Sequence, residues 1–115
     1  MRRFLLLALL APGAAAAQTL AVDAAALPTP QRQQTLVRLV RQDCGSCHGM
    51  RLTGGLGPAL TRDALADRSL ETLVAVTLHG RPGTPMPGWN GMLSVADAVW
   101  IAEQLRSGFP TEVRQ

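Results

Sequence analysis

The sequence predicts an all-α fold, and three observations carry that prediction. Apolar residues recur at three- and four-residue spacings in three segments, as the buried stripe of a helix does. No stretch alternates apolar and polar residues in the manner of a half-buried strand. The segments between the periodic ones are studded with glycine and proline and hold no room for further long elements.

The chain starts MRRFLLLALLAPGAAAAQ, with the layout of a secretory signal. Arg2 and Arg3 give the positive end, Phe4 to Leu10 the apolar run, and Ala15 and Ala17 the small-residue pattern before a cut. Cleavage is expected after Ala17, which assigns residues 1–17 to the signal and leaves 115 − 17 = 98 residues. An uncleaved anchor is the competing reading. It is disfavoured because the apolar run is shorter than the roughly 20 residues of a spanning helix and Pro12-Gly13 interrupts its end. No membrane span is expected after removal, and the periplasm is the expected location. Residues 18–28 are Ala-rich without a periodic face and read as a flexible leader, with the folded domain over 29–115.

All eleven basic residues are arginine; without Arg2 and Arg3, nine face eight acids, a formal +1. With no basic run, phosphate loop or aromatic platform, nucleic acid is not an expected partner. Only Trp89, Trp100 and Phe109 are aromatic beyond the signal. A core this thin needs a staple, either a disulfide or a bound cofactor.

The first helix is set by Thr29 as N-cap and Pro30 at its first position, with Leu36, Leu39 and Val40 as its stripe. It runs directly into Cys44. From Gly49 to Ser69, four glycines together with Pro58 exclude a long element, and Thr61 caps one short turn. The second long helix is predicted over about Leu70–Leu78, with Leu70, Leu73, Val74 and Leu78 on one face and Gly80 closing it. A stiff loop, RPGTPMPGWNG, follows. Ser94 and Asp97 have capping-box spacing for the last helix, which Gly108 closes. Val95, Val99, Ala102 and Leu105 line its inner side, flanked by Trp100 and Ile101.

The only two cysteines lie in CGSCHG, at 44 and 47, with His48 next. Zinc would need a second ligand pair, which is missing. A redox dithiol would follow a strand, also missing. C-x-x-C-H is instead the attachment signature of c-type haem. At the end of a helix, Cys44, Cys47 and His48 at i, i+3 and i+4 project to one side. Two thioethers would then grip the porphyrin edge while His48 reaches the iron. One covalent haem c is expected, with both thiols consumed and no disulfide.

The second axial ligand decides the activity, since a methionine thioether closes the iron and raises its potential. Met50 is too near His48 to reach the opposite haem face. Met86 stands 86 − 48 = 38 residues on, between Pro85 and Pro87, and is the expected ligand. Met92 is the minor candidate, read as packing under the last helix. His79 is the rival axial ligand; its other reading is a helix-terminal histidine. Arg81 and Trp89 flank Met86 as donors toward a haem propionate, or are solvated and packed respectively.

CGSCH, GLGPAL and GTPMPGW together resemble class I cytochromes c over nearly all of the chain after the signal. A closer resemblance, carried by LVRQDCGSCHGMRLTGGLGPAL and LHGRPGTPMPGW, is to the c-55X group. These are small periplasmic cytochromes encoded beside cytochrome cd1 nitrite reductase in denitrifying bacteria. The resemblance implies the class I fold, first and last helices crossing, with Cys44, Cys47 and His48 as the attachment motif. It implies Met86 as distal ligand and Pro58 as the residue whose carbonyl holds the axial histidine. It also implies electron transfer to cytochrome cd1 nitrite reductase, or a part in making or inserting haem d1. A gas sensor or peroxidase is the third reading, requiring a displaceable ligand. A monomer is expected, with a domain-swapped dimer open to the two glycine- and proline-rich loops.

Overall fold

The computed structural model describes residues 27–110. The expected signal peptide, most of the leader and the last five residues lie outside the described residues. Helix α1 spans Pro30–Leu39. A π-helical turn over Val40–Cys44 follows, then the short α2 over Gly45–His48. Helices α3 and α4 span Leu70–His79 and Val95–Ser107. No strand occurs among the described residues, and the all-α expectation is met.

Each long helix starts on a side-chain cap. The Thr29 hydroxyl accepts from the Arg32 N–H at 3.2 Å, and Pro30 fills a position whose N–H has no helical partner. Ser69 caps α3 through the Thr72 N–H at 3.1 Å. Ser94 and Asp97 form the reciprocal capping box predicted for α4, with both bonds at 3.1 Å. Such caps contribute on the order of 1 kcal/mol each.

Leu36 and Val40 of the first stripe are fully buried, and Leu39 is half-buried against them. They join Leu78 of α3 and Ala98, Trp100, Ile101 and Leu105 of α4 in one core cluster. Helices α3 and α4 pack along each other. The N-terminal turn of α1 meets α4 through an ion pair, Arg32 Nη2 to Asp97 Oδ2 at 2.8 Å. Arg32 also donates from Nη2 to the Met92 carbonyl at 3.1 Å.

Two side chains stand where the sequence did not put them. Met92, expected beneath the last helix, is 63% exposed. Its N–H and that of Leu93 both bond the Trp89 carbonyl, and this tight turn sends Leu93 into the core instead. Val95 is 64% exposed, because it lies in the first turn of α4, past the end of the core. The buried side of α4 is Ala98, Val99, Trp100, Ile101, Ala102 and Leu105.

The π-helical turn is the third departure. The Gly45 N–H bonds the Val40 carbonyl, five residues back, where an α-helix would reach four back. The passage from α1 into the cysteine motif is therefore a widened turn.

Candidate haem site

The cysteine motif occupies Cys44 and all of α2, and every residue in it keeps right-handed helical backbone angles up to Gly49. Gly49 has φ +87°, which L side chains rarely adopt, and turns the chain back. The returning loop is fastened to the motif by backbone bonds. Gly54 N–H bonds the His48 carbonyl and Gly57 N–H the Cys47 carbonyl, both at 2.8 Å. The approach leaves no room for side chains: a Cβ on Gly55 would stand 2.7 Å from the Cys47 carbonyl oxygen. Leu52 anchors the loop in the core at φ 61°, an uncommon angle for leucine.

This loop brings Pro58 to His48. The Pro58 carbonyl oxygen lies 2.7 Å from His48 Nδ1. A carbonyl can only accept, so Nδ1 carries a proton, and in the neutral ring Nε2 keeps its lone pair. A second contact fixes the plane of the ring: a Cβ on Gly57 would fall 2.7 Å from Cε1 and 2.8 Å from Nδ1. The imidazole is buried, hydrogen-bonded on one nitrogen and walled by the glycine. That is the arrangement an axial ligand needs, since the partner on the second nitrogen sets ring orientation and basicity.

The two thiols are free, Cys44 half-buried and Cys47 exposed. Burial, followed by the charge of Asp43, pushes the Cys44 thiol up to about 11. Dithiol redox catalysis uses a thiol lowered toward neutrality, and Cys44 is shifted the other way. Among the described residues no three His, Cys, Asp or Glu side chains are grouped as ligands round one ion. The residues do fit a haem: Cys44 and Cys47 would hold its edge and His48 Nε2 its iron. When bound, a haem supplies one-electron chemistry at its iron.

The methionine loop forms a second cluster at the end of α3. Gly80 (φ +72°) ends the helix, and Trp89 and Asn90 return to bond the Thr77 and Leu78 carbonyls at 3.0 and 3.1 Å. The loop closes on itself where the Arg81 N–H bonds the Met86 carbonyl at 3.2 Å. Gly80 and Gly88 permit that closure, since a Cβ on either would stand 2.6–2.8 Å from backbone atoms across it. Met86 and Trp89 are half-buried, Trp89 against the core, whereas His79 and Arg81 are exposed. The structure thus joins Pro58 to His48 and gathers His79, at the end of α3, with Arg81, Met86 and Trp89 of the loop that follows. Among the described residues no hydrogen bond bridges the two groups. Met50 is 63% exposed beside Gly45.

Two contributors were not anticipated from the sequence. Gly57 walls the imidazole, and the only cue to it is its place before Pro58. Arg41, in the π-helical turn, clamps the C-terminal end: its Nη2 donates to the Phe109 and Pro110 carbonyls at 3.2 and 2.9 Å. Its guanidinium also lies 5.4 Å from the centre of the Phe109 ring.

Comparison with known proteins places this geometry. Residues 31–104 match the family described as cytochrome C oxidase, cbb3-type, subunit III. A cytochrome c55X of Stutzerimonas stutzeri is 56% identical over 86 residues, which cover 75% of this chain and 76% of that protein. A solved structure titled c-type cytochrome NirC superposes with a TM-score of 0.69 at 57% identity, covering 70% of this chain and 94% of that one. The dihydro-heme d1 dehydrogenase of Pseudomonas aeruginosa is 39% identical over 74 residues, 64% of this chain but only 15% of that protein. With a helical fold, a C-x-x-C-H motif and these relatives, the chain belongs to the c-type cytochromes, in the family formed by the cytochromes c55X.

Proposed function

We propose that this cytochrome is an exported, periplasmic monohaem electron carrier that delivers electrons to cytochrome cd1 nitrite reductase. The observation that carries the reading is the buried His48 ring, bonded through Nδ1 to the Pro58 carbonyl at 2.7 Å, which leaves Nε2 for an iron. Cys44 and Cys47 form the thioethers, His48 is one axial ligand and Met86 the other. A thioether in that position closes the iron to small ligands, which favours a carrier over a gas sensor or peroxidase. Arg81, exposed on the methionine loop, and Trp89 remain the candidate donors to a propionate. Among the described residues no helix is long and apolar enough to cross a membrane. Near-neutral charge after export and a brief redox encounter call for a contact below about 1,200 Å².

A second reading has its own support. Part of a dihydro-heme d1 dehydrogenase is similar to this chain at 39% identity. A cytochrome of this kind could serve the making or insertion of haem d1 rather than nitrite turnover.

The following measurements test the proposal. The intact mass of periplasmic protein should equal the chain from Gln18 plus one haem that survives acid–acetone extraction. Ferrous protein mixed with assembled reductase and nitrite should be oxidised over many turnovers. If turnover is unaffected and deletion of the cytochrome yields reductase lacking haem d1, the maturation reading replaces the carrier. Ligation is read from the near-infrared sulfur-to-iron band of the ferric protein. Met86→Ala should remove that band; its loss in Met92→Ala would make Met92 the ligand. Absence of the band, with a spectrum altered by His79→Ala, would make the ligand His79.

A further inference from the structure

Resting on the assignment of Met86 as axial ligand, we infer that Thr84 is the positioning residue that holds the Met86 thioether in place. The loop from Arg81 to Met86 contains two prolines, which lack an N–H, so few groups remain to fasten it. Thr84 supplies much of that fastening. Its hydroxyl donates to the Arg81 carbonyl at 2.7 Å. The same oxygen accepts from the Met86 N–H at 3.4 Å. Its own N–H bonds the Arg81 carbonyl at 3.1 Å, and the ring is closed by the Arg81 N–H on the Met86 carbonyl at 3.2 Å. The hydroxyl is thus the one side-chain group linking both ends of the loop, and it touches the backbone of Met86 itself. The C-terminal side is held by Gly88 and Trp89 against α3, so the freedom left to Met86 lies on the Thr84 side. Removing the hydroxyl leaves the Met86 N–H with solvent alone and lets the ligand swing outward.

The experiment compares Thr84→Val, which keeps the shape without the hydroxyl, with Thr84→Ser, which keeps the hydroxyl. The readouts are the rate at which imidazole binds the ferric holoprotein, which requires the methionine to leave, and the temperature at which the sulfur-to-iron band fades. Thr84→Val should bind imidazole roughly tenfold faster and lose the band at lower temperature, in line with loss of one hydrogen bond. Thr84→Ser should behave as the unmodified protein, and both variants should keep the full haem content and far-ultraviolet spectrum of the unmodified holoprotein. Equal imidazole rates in Thr84→Val and the unmodified protein, or a Thr84→Ser variant as labile as Thr84→Val, would overturn the inference. If the unmodified protein itself lacks the sulfur band, the Met86 assignment fails and takes this inference with it, a result distinct from either variant outcome.

Discussion

Gly57 sits against the imidazole of His48 so closely that a methyl group there would overlap the ring, at 2.7 Å from Cε1. Glycine is required at 57 by a neighbour in space, not by its own backbone angle. The same loop puts the Pro58 carbonyl 2.7 Å from Nδ1, so the wall and the hydrogen bond act on one ring.

Gly57→Ala should therefore displace the imidazole and lengthen its bond to Pro58. The bond raises the basicity of Nε2 toward a metal, and a more basic ligand favours ferric iron. Weakening it should raise the reduction potential of the holoprotein by tens of millivolts, since a hydrogen bond contributes on the order of 1 kcal/mol and about 59 mV is a tenfold change. A redox titration reads this directly. An unchanged potential with full haem content would mean the ring accommodates the methyl group.

Arg41 supports the motif from the other side. It bridges the turn before Cys44 to the Phe109 and Pro110 carbonyls and faces the Phe109 ring, which meets Trp100 edge-on at 6.5 Å. Its buried Nε has no partner, so the residue's contribution comes from these two carbonyl bonds, a longer one from Nη1 to the Met50 carbonyl at 3.4 Å, and the ring. Arg41→Met should lower unfolding stability by about 2 kcal/mol through loss of these bonds. The spectrum of the folded holoprotein should stay unchanged. Equal denaturation midpoints would show that the clamp contributes nothing net.

These residues mark what was legible in the sequence. The three long helices were legible because their caps and stripes are local: Thr29, Ser94 and Asp97 act within one turn of chain. His48 was legible from its motif, and its bond to Pro58 from the resemblance. The π-helical turn left no trace, because Val40–Cys44 has the composition of an ordinary helix. Nor was Arg32–Asp97 visible, 65 positions apart in sequence. Asp97 read as a cap alone, and the charge that completes it comes from another helix. Met92 and Val95 misled for a related reason: helical spacing gives the side of a helix but not where the core along it ends.

The Arg32–Asp97 pair yields the last prediction. Asp97 is buried, and the Arg32 guanidinium, ahead of the Ser94 contacts, holds its carboxyl below the usual carboxylate range. Arg32 is raised in turn, chiefly by its hydrogen bond to Asp97. A carboxyl whose pKa is lower in the folded state stabilises the protein at pH values above its unfolded pKa, about 3.9. That contribution falls away as the pH drops through the folded value, so the pair should be fully in force at neutral pH and lost in acid. Arg32 stays charged throughout this window and adds no slope of its own. Asp97→Asn keeps an oxygen for the Ser94 N–H but removes the charge that Arg32 meets. It should cost about 2 kcal/mol at pH 7, the scale of a partly buried charge-assisted bond together with a weakened cap. Arg32→Gln should lose less, because Asp97 keeps its bond from the Ser94 N–H. Denaturant unfolding between pH 7 and pH 2.5 should show the gap between Asp97→Asn and the unmodified protein narrowing as the pH falls. A gap that stays constant across that range would mean the pair acts through shape and capping, with its charge contributing nothing.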